Sequence, residues 1–193
     1  MTTLVFLLEE PSAESMFKGL LPRLLPSGLG IEYKIFEGKH DLDANLPRVL
    51  RNWKRPNSLF VVLRDQDASD CRKLKENLLE MCRRSGSSNV LIRIACRELE
   101  SFYLGDLGAV EKGLGIHGLG AMQRRRKFRN PDLLVKPSLE LSRLTKGRYQ
   151  KVAGSLAIGK HLNVQHNHSK SFNVLISGLN RITGDAWEPE GIS

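Results

Sequence analysis

Three short acidic groups follow apolar runs in the first hundred residues, and their spacing suits metal-assisted chemistry. Glu9 and Glu10 follow Thr3 to Leu8 (TLVFLL), with Glu14 four residues beyond Glu10. Asp65 and Asp67 follow Ser58 to Leu63 (SLFVVL), in the run RDQD. Glu98 and Glu100 follow Asn89 to Ala95 (NVLIRIA), in the run RELES. Residues two apart in an extended segment project to the same side, so Asp65 and Asp67 are expected to point at one ion. Glu10 and Glu14, four apart, face the same way from a turn entering a helix. Carboxylates gathered this closely repel one another, and a hard divalent cation with oxygen ligands, Mg²⁺ or Mn²⁺, resolves the conflict. Two such ions can activate water and stabilise the leaving oxygen of a phosphodiester. Taken singly, each group also reads as solvated loop charge or as a partner of a helix N-terminus.

The elements that position these acids alternate. TLVFLL and SLFVVL are short continuous apolar runs, which suits strands buried on both faces. Ile31 to Phe36 (IEYKIF) alternates apolar and polar residues, as a strand nearer an edge does. NVLIRIA is the fourth strand. Between them fall helical stripes. The first begins with Ser12 as its cap and carries Met16, Phe17, Leu20 and Leu21, ending or kinking at Pro22. The second runs from Asp41 to Trp53. The third runs from Ser69 to Arg84 and stops at Gly86. A further helix covers about Glu98 to Leu104. Strand–helix alternation with short loops predicts a mostly parallel four-stranded sheet flanked by helices. In such sheets, ligands gather outside the carboxyl ends of the strands, where all three acidic groups fall. Residues 1–105 therefore read as an α/β core and 106–193 as a helical extension packed on it. In the extension, 115–131 is a candidate mobile stretch. Helices are expected over 138–144, 149–158 and 171–182, and the tail 184–193 is expected to be irregular.

The chain has 193 residues, of which 40% are hydrophobic, enough for one domain with a real core. It lacks an apolar stretch long enough for a transmembrane helix. Met1 to Leu8 has no basic leader region and is interrupted by Glu9 and Glu10, so a buried strand is expected there and not a signal peptide. A net charge of +9 favours polyanionic partners such as nucleic acid. Cys71, Cys82 and Cys96 fit no metal-binding spacing and read as reduced thiols in a cytoplasmic protein.

The acidic groups also carry a resemblance. The chain resembles the Toprim domain, the metal-binding α/β fold of topoisomerases, primases and OLD-type nucleases. Glu9 or Glu10 in LLEEPSAE stands where that family has its first glutamate, Asp65 and Asp67 stand for its D-x-D, and Glu98 or Glu100 for a later acid. Glu10 or Pro11 occupies the place where the family usually has glycine. The runs LLPRLLP, DQDASDCRKLK, RELESFYLGD, RLTKGRYQKVAGSLAIGKHL and SFNVLISGLNRI resemble a compact Toprim-like bacterial family, so the likeness spans most of the chain. It implies a Toprim-like, Rossmann-like fold and a divalent-metal-dependent nuclease of DNA or RNA. The implied catalytic residues are Glu10, Asp65, Asp67 and Lys160, the last because OLD-type nucleases place a lysine late in the chain near the metals. The implied metal ligands are Glu9, Glu10, Glu14, Asp65, Asp67, Glu98 and Glu100. An AAA- or SMC-like ATPase partner and a role in phage defence are implied too. The rival expectation is a non-catalytic subunit on the same scaffold that docks the ATPase or senses nucleic acid. A homo-oligomer stays open.

Other features carry less. Arg124, Arg125, Arg126, Lys127 and Arg129 could track a phosphate backbone, with Phe128 stacking on a base; a solvated loop or a docking surface reads equally well. His161, His166 and His168 lack cysteine partners and read as surface histidines. Asp70 and Asp106 suit metal assistance or helix capping. The glycines over 113–120 match no phosphate loop, so ATP is not expected on this chain. Tyr33, Tyr103 and Tyr149 read as structural.

Overall fold

A computed structural model describes residues 2–87 and 89–184. Four strands form one all-parallel sheet: β1 (Thr3–Leu8), β2 (Gly30–Ile35), β3 (Ser58–Asp65) and β4 (Val90–Ala95), in the order β2-β1-β3-β4. This is the Rossmann-like α/β arrangement that the alternation and the Toprim resemblance imply. The chain moves outward from β1 to β2 and then crosses back to β3, so the order reverses between β1 and β3. That reversal opens a crevice at the carboxyl ends of those two strands.

Strand alternation sorts the core onto two faces. Leu4, Phe6 and Leu8 of β1 join Val61 and Leu63 of β3 in one apolar cluster, and Val5, Leu7, Phe60 and Val62 join the other. Helices α2 (Lys39–Asn52) and α3 (Cys71–Arg84) cover the second cluster. The first is covered by α1 (Pro11–Leu20), α4 (Glu100–Leu104), α5 (Leu107–Leu114), α6 (Pro137–Leu144), α7 (Lys151–Gly159) and α8 (Lys170–Thr183). Residues from 106 onward thus share the core of the sheet.

Helix α1 begins at Pro11, with Glu10 as its extended N-cap residue. Ser12, expected to be the cap, lies in the first turn and donates its hydroxyl hydrogen to Glu10 Oε1. A 3₁₀ turn over Leu21–Arg23 follows α1, where Pro22 ends the α-helical bonding. Helix α7 packs closely along α1 and runs parallel to it. A methyl group on Gly159 would stand 2.5 Å from Met16 O, and one on Gly19 would stand 2.6 Å from Leu156 O. Glycine at both places lets the backbones meet. This contact fixes the start of α7 beside the start of α1, which is how Lys151, 141 positions after Glu10, reaches the strand ends.

The stretch 115–131 forms 3₁₀ turns at Gly120–Arg124 and Arg126–Phe128, tied down by the Gln123 side chain, which donates to Leu104 O and Phe128 O. The expectation for 184–193 falls outside the described residues except for Gly184. Among the described residues, no helix is long and apolar enough to cross a membrane.

Candidate functional site

The alternation that sorts the core also sorts the acids. Glu10 and Asp65 continue the α1/α7 face of β1 and β3, whereas Glu9 and Arg64 continue the α2/α3 face. Two charge clusters result, side by side at one rim of the sheet.

The first cluster gathers Glu10, Asp65 and Glu100 with Lys151. Lys151 opens α7 and donates from Nζ to Glu10 Oε2 at 2.9 Å. Glu100 opens α4 and is only 1% exposed. Its Oε1 accepts from the Tyr149 hydroxyl at 3.1 Å, and that hydroxyl lies 3.1 Å from Ser155 Oγ. Burial raises the Asp65 carboxyl well above its ordinary range, and the charges of Glu9, Glu10 and Glu100 raise it further, against one opposing backbone N–H from Leu99. Burial also raises Glu100; Lys151 opposes the shift and Glu10 adds to it. For Lys151, burial pulls the ammonium down, but the hydrogen bond it donates to Glu10 and the charges of Glu10, Glu100 and Asp65 outweigh it and hold the group up. Burial and the Glu100 charge raise the Tyr149 phenol, so at neutral pH it is a donor and not a nucleophile.

The second cluster centres on Arg64, a guanidinium only 4% exposed. It donates to Glu9 Oε2 at 3.0 Å and stands 3.4 Å from Asp43 and 3.8 Å from Asp67. The Asp65 backbone N–H reaches the same Glu9 oxygen at 3.2 Å. Burial raises Glu9 despite these partners. Asp67 accepts from Lys39 Nζ at 2.9 Å. It does not share the side of Asp65 that an extended segment predicts, because the chain turns there. Asp67 has φ of 52° and Arg97 has φ of 63°. These two left-handed residues clasp each other: Asp67 N donates to Arg97 O at 2.8 Å, and the Arg97 guanidinium donates to Asp67 O at 3.2 Å. Non-glycine residues in this region are costly and cluster at functional rims.

The remaining expected residues stand elsewhere. Glu14 pairs with Lys18 on α1 at 2.8 Å. Glu98 turns away from the rim and accepts from Ser138 N at 2.6 Å, capping α6. Lys160 is exposed at the far end of α7, nine residues from Lys151. Arg124, Arg125, Arg126, Lys127 and Arg129 are exposed, and Lys127 pairs with Glu140. Phe128 is fully buried, so it is not free to stack on a base: the 3₁₀ turns fold it into the main core. Asp70 and Asp106 cap α3 and α5. His161, His166 and His168 are exposed, and the cysteines are free thiols.

Sequence reasoning missed Lys151, Tyr149 and Arg64. Lys151 did carry a signal, since a lysine at the first position of a helix opposes the helix dipole and is out of place unless an acid holds it there.

Among the described residues, no three acidic, histidine or cysteine side chains converge closely enough to hold an ion between them. By chemistry, Glu10, Asp65 and Glu100 fit a hard cation: they offer only oxygen, Asp65 and Glu100 are raised by burial, Asp65 feels the charges of Glu10 and Glu100, and Glu100 feels that of Glu10. The family model described as Domain of unknown function (DUF4276) matches residues 8–180, a span that contains every acid of the rim. No curated protein and no solved structure matches the chain.

Proposed function

We propose that this chain, which belongs to the DUF4276 family, is a divalent-metal-dependent nuclease that cleaves phosphodiester bonds of DNA or RNA. The observation that carries the reading is that Glu10 and Glu100, from two other strand ends, act on Asp65 with their charges beside the β1/β3 crevice, near enough for side-chain rotation to bring the three carboxylates onto one cation. Glu10, Asp65 and Glu100 would hold Mg²⁺ or Mn²⁺, which supplies an activated water and charge stabilisation at phosphorus. Lys151 stands beside these acids and offers a second positive charge to the transition state. Tyr149 orients Glu100. Arg64 holds Glu9, the Asp65 backbone and Asp67 in register, so Glu9 and Asp67 act from the neighbouring cluster. The basic charge of the chain, including Arg124 to Arg129, supports a polyanionic substrate. The Toprim resemblance supports an AAA- or SMC-like ATPase that gates the activity, a role in phage defence and a cytoplasmic setting.

A second reading has its own support. Lys151 and Tyr149 already satisfy Glu10 and Glu100, as they would in a non-catalytic subunit that docks an ATPase or senses nucleic acid. Cleavage of labelled oligonucleotides and plasmid in Mg²⁺ or Mn²⁺, with and without the ATPase partner, separates the two. Cleavage that is lost in Asp65→Asn supports the nuclease. Cleavage that survives that change, or nucleic-acid binding with no cleavage under any condition, refutes it.

A further inference from the structure

A cleft of about 590 Å³ runs along the open edge of β4, between α3 and the start of α8. Four basic side chains line it: Lys75 from α3, Arg93 from β4, Arg97 from the loop beyond and Lys170 from α8. Ile92, Ile94 and Val174 give it an apolar floor, and Leu133 stands 75% exposed at its lip. Among the described residues, Asp132 is the one acid of this lining, and it is engaged: it accepts from Ser169 Oγ at 2.6 Å and from Ser171 N at 2.8 Å. Among the described residues, no ion pair involves any of the four basic groups.

Arg93 is the telling member. Its Nε donates to Val174 O at 2.9 Å, and a terminal nitrogen donates to Ile92 O at 2.8 Å. The guanidinium lies so close over Gly178 that a methyl group there would stand 2.2 Å from it. Carbonyl oxygens and a glycine therefore hold this cation rigidly, with no carboxylate among the described residues to neutralise it. Burial pulls the group down and the nearby Arg181 charge adds to that. Arg93 is half-buried, and a cation held there without a carboxylate presents a net positive charge to the cleft, which favours an anionic ligand.

We propose that this cleft seats a single-stranded nucleic-acid segment and leads it to the acidic rim. Phosphates would lie against Lys75, Arg93, Arg97 and Lys170. A splayed base would lie on the apolar floor of Ile92, Ile94 and Val174. A cleft of this volume takes one small-molecule-sized group, and unstacked bases of single strands are what proteins seat in this way. The cleft lies next to the strand end that carries Asp65, which pairs with Ala95 of β4. Gln66, which directly follows Asp65, lines both this cleft and the adjoining hollow over residues 66–72, as does Arg97. Neighbouring strands lie about 4.8 Å apart, so the cleft begins about one strand spacing from Asp65, within the reach of one or two nucleotides. It is separate from the Arg124–Arg129 run, whose Arg124 and Arg129 line a different hollow.

The inference rests on the nuclease reading only for the direction of the strand; binding is tested without cleavage. Fluorescence anisotropy of a labelled dT12 is measured in EDTA for the wild type, for Lys75→Ala/Lys170→Ala, and for Arg51→Ala/Lys54→Ala. The last pair carries the same charge change and is exposed where α2 ends, away from the rim. The cleft variant is expected to bind at least tenfold more weakly and the control within twofold of wild type. Four phosphate contacts on a single strand give a salt dependence of slope about −2.8, and losing two brings it to about −1.4. Equal effects in the two variants, no effect in either, or tighter binding of an oligoaspartate peptide than of dT12 overturns the inference. Binding through the cleft with no cleavage under any condition refutes the nuclease alone, whereas metal-dependent cleavage with undiminished binding in the cleft variant refutes the cleft alone.

Discussion

Asp65→Asn is expected to stabilise the protein while abolishing cleavage. Asp65 sits partly buried at the end of β3, and the charges of Glu9, Glu10 and Glu100 act on it in addition to its burial. A carboxyl raised in the folded state binds its proton more tightly there than in the unfolded chain. Its contribution to stability is therefore complete below the ordinary aspartate value of 3.8 and is lost as pH rises through the folded value. At neutral pH, without metal, the charged group opposes folding. Asparagine keeps the shape and removes the charge, a gain of about 1–2 kcal/mol. For a chain of this length that is about 2–8 °C in Tm. Removing the same oxygen charge from the cation's ligands is expected to lower cleavage at least 100-fold, about 2.7 kcal/mol of transition-state stabilisation. The assay is thermal unfolding in EDTA from pH 4 to 8, paired with cleavage in Mn²⁺. The gain should widen as pH rises, and Mn²⁺ should raise the Tm of the wild type and not of the variant. A variant less stable than wild type at pH 7, or one that cleaves normally, refutes the reasoning.

Other substitutions separate chemistry from architecture. Lys151→Met removes a half-exposed ion pair and should cost less than about 1 kcal/mol in unfolding experiments, yet lower cleavage at least tenfold with dT12 binding in EDTA unchanged. Arg64→Met leaves Glu9 buried without its cation and should cost about 3–5 kcal/mol by urea unfolding; a neutral result would show that the second cluster is not a support. Gly159→Ala forces a methyl group against Met16 O, and should cost about 1–3 kcal/mol by overpacking. Because α7 carries Lys151, the same change should also lower cleavage at temperatures where the protein stays folded.

The sheet was legible because β1 and most of β3 are continuous apolar runs that only burial on both faces explains, and the observed bounds of β1, β3 and β4 differ from the expected ones by no more than two residues. Helix α5 was missed because Gly108 and Gly113 look like loop residues; a methyl group on Gly113 would stand 2.8 Å from the backbone of Ile158, a packing need that the sequence hides. Within the site, the strand alternation already distinguishes Glu10 from Glu9. Glu10 has the parity of Leu4, Phe6 and Leu8, and Asp65 has that of Val61 and Leu63. Glu100 could have been told from Glu98 in the same way, since it shares a helical face with buried Tyr103 and Leu104. Asp67 was not legible, because its side depends on a left-handed turn held by Arg97 from another loop. The partners of Lys151 and Tyr149 were beyond reach because their contact with Glu10 and Glu100 depends on the α1/α7 packing, although a lysine opening a helix was itself a signal. Lys160, chosen by order along the chain, stands at the wrong end of α7 to touch them.

The central claim is that Glu10, Asp65 and Glu100 share a divalent cation, and anomalous diffraction from crystals soaked in Mn²⁺ tests it most directly. The account predicts a peak about 2.0–2.6 Å from oxygens of at least two of these residues, with Lys151 turned away from Glu10. No peak at the rim in saturating Mn²⁺, with the Lys151–Glu10 pair intact, would contradict it.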